Sequence, residues 1–302
     1  MVTAAVVGVV GVGAVGQTLA AGLVAAALPG RLLVVSRQPD QVRALTADLQ
    51  DLAHAAHSPT VVERGDVADL HGCDAVVIAL RASFTNTAEH DIRRGGAFAN
   101  APAVGTLATR LRGFTGTVLV VTNPVDLMTR RFAEVSGCAR VFGIGSDLDS
   151  ARFRLLMARY ARVLPEQVRG HVIGEHGDRS VICASSTTVN GLPVHVPIKA
   201  VAKELQQRPA LIRTGTGRTR CGPAGAVLST LRKSLGLADG IEELSVPYQD
   251  VWLGIPTRFT GGRAEARLPH LTSHERQRLE RAATSLRDAY TRIPAHTERI
   301  AP

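Results

Sequence analysis

The sequence predicts an α/β chain: a doubly wound parallel sheet over residues 1–145, followed by an α+β half over residues 146–302. Three observations predict it. Short β-branched apolar runs alternate with helix-length stretches through the first half, the pattern of strands buried on both faces and covered by helices. A glycine-rich turn joins the first such run to the first helix. After residue 145 the alternation stops, and Thr/Val-rich strand signals mix with longer helices.

Val6–Val10 is apolar throughout and reads as the first buried strand. The glycines follow, and residues 17–28 read as a helix stopped by Pro29-Gly30. Residues 31–36 (RLLVVS) form a second strand and residues 41–57 a second helix. DAVVIAL at 74–80 and TVLVVT at 117–122 are further buried strands, with helices near 98–112 and 126–136. The parallel half closes near residues 142–145. Beyond it, residues 150–164 read as helix and 181–196 as strand broken by an Asn190-Gly191 turn. Residues 197–207 and 224–235 read as helices, and 258–268 as two short strands about Gly261-Gly262. The last helix opens on Thr272-Ser273-His274-Glu275, a capping-box pattern. Leu279, Ala282, Ala283, Leu286 and Tyr290 then fall on one helical face.

At 302 residues, 45% hydrophobic and 20% charged, the chain has room for two lobes around a sizeable core without disulfides. The formal charge of +9 raises nucleic acid or acidic lipid as partners. Its distribution argues against both. Lysine contributes only Lys199, Lys203 and Lys233, the arginines are scattered, and aromatics for base stacking amount to 4%. Residues 1–30 carry no charged side chain, yet a basic leader is missing and glycines at 8, 11, 13 and 16 weaken a membrane helix. A strand, a turn and an apolar helix account for that composition, so no membrane span is expected. Cys73, Cys138, Cys183 and Cys221 are widely spaced with no CxxC pair, which fits a reducing cytoplasm. His54 and His57 have a spacing that metals use but lack a third ligand, so no metal is expected.

Gly11-Val12-Gly13-Ala14-Val15-Gly16 is a GxGxxG that follows a strand and opens a helix. In that setting the glycines allow a tight turn and a close approach of backbone to a pyrophosphate, which the helix N-terminus attracts. This is the setting of a Rossmann-type dinucleotide site. An NAD site places Asp or Glu about 20 residues on, against the ribose hydroxyls. Here Ser36 and Arg37 occupy that place, and a hydroxyl with a guanidinium suits a 2′-phosphate. NADP is therefore expected, with NAD as the alternative if Arg37 only faces solvent.

The segments Asp149-Ser150-Ala151-Arg152-Phe153-Arg154 and Gly174-Glu175-His176-Gly177-Asp178 offer an imidazole, a carboxylate to orient it and a guanidinium for an anionic substrate. With the glycine turn, Asp51-Leu52-Ala53-His54-Ala55 and Thr122-Asn123-Pro124-Val125-Asp126, they occur in one order and spacing. In these five motifs, over its first 180 residues, the chain resembles the lactate/malate dehydrogenase family; beyond them the match is looser. The resemblance implies hydride transfer between a nicotinamide cofactor and a small 2-oxo or 2-hydroxy acid. It implies His176 as the proton donor and acceptor, Asp149 as its orienting carboxylate, and Arg152 on the C1 carboxylate. Asn123 would bond the reacting oxygen beside the nicotinamide. A homodimer or homotetramer is implied as well.

Two segments depart from the family. The family's mobile lid carries an arginine that polarises the carbonyl, whereas residues 81–94 lack its Lys-Pro-Gly signature. Matching Ala99-Asn100-Ala101-Pro102 to the next helix puts Arg93 at that position, with Arg94 as the alternative. At Gly217-Arg218-Thr219-Arg220-Cys221-Gly222-Pro223, Thr219 takes the pocket-wall place that is Thr in lactate-type enzymes. Its neighbours Arg218 and Arg220 either bind a second anionic group or face solvent. The substrate is read as malate/oxaloacetate-like or a substituted dianionic analogue. A lactate/pyruvate enzyme is the alternative, and a non-catalytic nucleotide sensor is the competing class.

Overall fold

The computed structural model describes residues 5–85 and 92–296, the side chains of residues 92 and 93 excepted. Strand β1 (Val6–Val10), helix α1 (Ala14–Ala25), β2 (Arg31–Val35), α2 (Pro39–Ala55) and β3 (Val61–Arg64) open the chain. They are followed by β4 (Ala75–Ile78), α3 (Ala97–Arg110), β5 (Thr117–Val120), α4 (Val125–Ser136) and β6 (Val141–Ile144). Strands β1, β2, β4 and β5 are almost wholly buried runs of Val, Leu, Ile and Ala, as strands covered on both faces must be. Their neighbours pair in parallel, with β1 between β2 and β4. The crossover reverses direction at β1, so a crevice opens beyond its carboxyl end, where such sheets bind ligands.

The second half contains α5 (Ser146–Ala161), β7 (Val168–Arg169), β8 (Val172–Gly174), β9 (Ser180–Ile182), β10 (Thr188–Val189) and β11 (Leu192–Pro193). Then come α6 (Ile198–Thr216), α7 (Cys221–Ser234), β12 (Gly240–Tyr248), β13 (Val251–Thr260), β14 (Arg263–Ala266) and α8 (Ser273–Thr291). One sheet crosses both halves in the order β3-β2-β1-β4-β5-β6-β12-β13-β8-β9, with β14 on β13. The join is antiparallel, with Leu244 opposite Ile144 and Ser245 opposite Gly143. A second hydrophobic cluster around Phe153, Leu156, Met157, Val172, Ile182 and Val201 holds α5 against the C-terminal strands and α6. Buried polar residues Asp149 and Arg152 sit on this same α5, beside the sheet join.

Strands β3, β7 and β8 have no counterpart in the sequence reading, residues 184–186 form a 3-10 turn instead of strand, and two further elements differ in extent. The β12–β13 hairpin is longer than the two short strands expected at 258–268, although Gly261-Gly262 does turn the chain between β13 and β14. Glu242, Glu243, Pro247 and Pro256 interrupt the apolar pattern there. The two carboxylates are buried because Lys233 meets Glu242 at 2.5 Å, and Arg154 and His171 meet Glu243 at 2.9 and 2.6 Å. Helix α6 runs through Pro209 to Thr216 instead of ending at Gln207. Proline costs it one intrahelical hydrogen bond but keeps a helical φ. Among the described residues no helix is long and apolar enough to cross a membrane, and no group of three or more His, Cys, Asp or Glu is placed to hold a metal ion.

Candidate active site

A cavity of about 580 Å³ opens over the ends of β1, β2 and β4 and is lined by Gly11, Gly13, Ser36, Arg37, Gln38 and Gln41, among others. The three glycines are required for three different reasons. Gly11 has φ +109°, and a side chain there would meet the Ala79 carbonyl at 2.7 Å. A Cβ at Gly16 would strike the Gly11 carbonyl at 1.8 Å, so helix and turn pack only without one. Gly13 faces open space, leaving its backbone accessible to a ligand at the start of α1, whose first turn carries no acid. A dinucleotide fits this cradle. Asp66 is the one carboxylate among the lining residues, and its Oδ1 accepts from the amides of Ala68 and Asp69 in its own turn. Ser36 and Arg37 both reach the cavity.

The sequence-predicted catalytic residues meet across the sheet join. His176 Nδ1 lies 2.7 Å from Asp149 Oδ2, and Arg152 Nη1 lies 3.4 Å from Asp149 Oδ1. All three side chains are close to buried, at 9%, 12% and 5% exposed, so the contacts act in a poorly screened environment. Asp149 and Arg152 are one turn apart on α5, while His176 follows β8. The imidazole rests on Gly145, where a Cβ would approach His176 Cγ to 2.5 Å. Asp126, from the start of α4, accepts the backbone N–H of His176 at 2.9 Å. Burial, with Glu175 nearby, pushes the Asp126 carboxyl from 3.8 up to about 7, against hydrogen bonds that lower it.

Asn123 stands on the same turn as Asp126, its side chain exposed and its carbonyl accepting from Asn100 Nδ2 at 2.8 Å. Buried Asn100 also accepts from the Ala82 amide at 2.8 Å, tying the start of the lid segment to that turn. The Arg93 side chain lies outside the described residues. Arg94 Nε is bound to Glu175 Oε1 at 2.7 Å, next to His176 in the chain. Thr219 is half-buried between α6 and α7, and Arg218 and Arg220 are exposed beside it. None of the three lines the second cavity, of about 220 Å³, which Arg94, Asp149, Glu175, Gly177, Leu205 and Arg213 help to form. Sequence reasoning missed Gly145, Asp126 and Asn100. Asp126 and Asn100 stood inside quoted motifs, and only the fold shows that they touch catalytic segments.

A dinucleotide cradle in the first half, with an Asp-held imidazole and a buried arginine in the second, fits a nicotinamide-dependent oxidoreductase of 2-hydroxy acids. Residues 5–143 match the "lactate/malate dehydrogenase, NAD binding domain" and residues 146–214 the "lactate/malate dehydrogenase, alpha/beta C-terminal domain". The L-lactate dehydrogenase of Staphylococcus epidermidis is 32% identical, covering 94% of this chain and 96% of that protein. The malate dehydrogenase of Methanothermobacter marburgensis is 31% identical, covering 82% and 83%. The crystal structure of a minor L-lactate dehydrogenase from Enterococcus mundtii shares the fold with a TM-score of 0.90 at 22% identity, covering 97% and 100%. The chain belongs to the lactate/malate dehydrogenase family.

Proposed function

We propose that the chain is an NADP-preferring 2-hydroxy acid dehydrogenase acting on a small anionic 2-oxo or 2-hydroxy acid. In reduction, the 2-oxo acid, reduced cofactor and one proton give the 2-hydroxy acid and oxidised cofactor. A bound nicotinamide would supply the hydride for C2. Arg152 clamps the C1 carboxylate with its planar fork. His176, with Nδ1 held by Asp149, gives its Nε2 proton to the C2 oxygen as negative charge develops there, and takes it back in oxidation. The adjacent carboxylate favours the imidazolium and fixes the ring. Asn123 donates to the same oxygen, Arg93 polarises it, and Thr219 contributes to the pocket wall.

Gly11, Gly13 and Gly16 would cradle the pyrophosphate, and Ser36 with Arg37 would take the 2′-phosphate. The support for NADP is the absence of a carboxylate at the end of β2 and the position of both side chains on the cavity. NAD remains the alternative, because the family match is to an NAD-binding domain. The substrate reading is malate/oxaloacetate or a substituted dianionic analogue. A lactate/pyruvate reading has its own support, since relatives of both names match at similar identity. The chain works in a reducing cytoplasm, which its widely spaced cysteines fit, as a homodimer or homotetramer, which its family resemblance implies.

The observation that carries this proposal is the single carboxylate, Asp149, in contact with both His176 and Arg152. Its test follows nicotinamide absorbance with a panel of 2-oxo acids, using NADPH and NADH in parallel. Turnover with a higher kcat/KM for NADPH is expected. Faster turnover with NADH would contradict the cofactor preference, and no turnover of any acid would contradict the activity.

A further inference from the structure

The 220 Å³ cavity touches Asp149 but none of His176, Arg152 and Asn123. It adjoins the carboxylate that holds the imidazole, between the turn bearing Arg94, the segment 177–182 and one face of α6. The α6 positions on its wall, 202, 205, 206, 209, 210 and 213, recur at helical spacing. Leu205, Pro209 and Ala210 make that wall apolar, and Arg213 closes the row. At about 30 Å³ per water, the space equals roughly seven waters, enough for several atoms beyond C3 of a bound acid.

The polar groups of the cavity divide into engaged and available ones. Asp149 is engaged by His176 and Arg152, and Glu175 by Arg94 through Oε1 and by the Arg179 charge 3.7 Å from Oε2. Arg278 donates from Nη2 to the Ser180 carbonyl at 3.0 Å. By contrast, Arg94 Nη2 is buried and has no hydrogen-bond partner among the described residues. The Arg213 side chain makes no hydrogen bond or ion pair among the described residues, and it is exposed on the cavity wall. A buried guanidinium nitrogen left unbonded is costly, and an anionic oxygen is its strongest partner.

We infer that Arg213, together with Arg94, determines substrate specificity by receiving the distal carboxylate of a 2-oxo diacid longer than four carbons, whose methylenes lie on Leu205, Pro209 and Ala210. The inference rests on the proposed placement of C1 at Arg152 and the C2 oxygen at His176. It moves recognition of the second charge from Arg218 and Arg220, which lie outside this cavity, to the inner face of α6.

The test compares wild type and Arg213→Ala on oxaloacetate, 2-oxoglutarate and 2-oxoadipate, with pyruvate and 2-oxohexanoate as monoacid controls. Arg213 is exposed, so its truncation spares the core. Wild type is expected to favour a five- or six-carbon diacid. Arg213→Ala is expected to raise KM for that diacid about 10- to 100-fold, the value of a charge-assisted hydrogen bond, with kcat/KM for 2-oxohexanoate unchanged. An unchanged diacid-to-monoacid ratio, or a wild-type preference for pyruvate or oxaloacetate, overturns this inference and leaves the proposed activity standing. Absence of turnover with every acid overturns both.

Discussion

Asp149 has two oxygens and the active site uses both, one against His176 and one against Arg152. The proposed acid–base group and the proposed substrate anchor thus share one rigid reference on α5. Gly145 completes this arrangement from below, since the imidazole occupies the space any Cβ would fill. Gly145→Ala must displace the ring, and a misplacement of about 1 Å can cost on the order of 100-fold in rate. The expected result is a kcat lowered about 10- to 100-fold with cofactor affinity unchanged, measured by steady-state kinetics and cofactor titration. Unchanged kcat in a folded variant would show that the ring has room to spare. The meeting of His176, Asp149 and Arg152 was legible in the sequence because their motifs pair chemical types at recognisable spacing. Gly145 was not, because its requirement comes from a residue 31 positions away that only the fold brings over it (176 − 145).

Helix α8 illustrates how far an element can be read in advance. Its capping box is present, with Glu275 N–H donating to Thr272 Oγ1 at 3.3 Å and Thr272 N–H to Glu275 Oε2 at 2.8 Å. Glu275 also accepts from the amide and hydroxyl of Ser185 at 3.0 and 2.6 Å, a tie to the segment after β9 that no local pattern announces. Burial raises the Glu275 carboxyl, yet these hydrogen bonds outweigh it and hold the group below its ordinary range. Loss of a helix cap costs about 1 kcal/mol. Thr272→Ala is therefore expected to cost about that, and Glu275→Ala about 1–2 kcal/mol more, because two Ser185 donors lose a charged acceptor. Denaturant titration checks the order, and equal losses would show that the Ser185 contacts contribute nothing. The β12–β13 hairpin was less legible for the same reason: its carboxylates are made burial-compatible by Lys233, Arg154 and His171, which are remote in sequence.

Across the whole molecule, one sheet carries both halves, and the proposed catalytic residues gather near the place where the antiparallel β12 joins β6. Alternating apolar runs made the parallel half readable; the join depends on long-range pairing that periodicity does not encode. Burying the site there also buries carboxyls. Burial drives Asp126 from 3.8 up to about 7 and Asp147 well above its ordinary value. Such a group keeps its proton in the folded chain at pH values where the unfolded chain has lost it. Its contribution to stability is present below about pH 4 and is lost as pH rises towards about 7. Asp126→Asn retains an oxygen to accept the His176 amide but cannot ionise. The Tm of wild type relative to this variant is expected to fall between about pH 4 and pH 7 and then level off. A difference independent of pH would show that Asp126 is ionised throughout.

The most direct test of the account is kcat of purified His176→Asn, with cofactor binding followed in parallel. Loss of a positioned acid–base group is expected to lower kcat by about 100- to 10,000-fold while the dinucleotide still binds. Undiminished turnover would contradict the assignment of proton transfer to the imidazole held by Asp149.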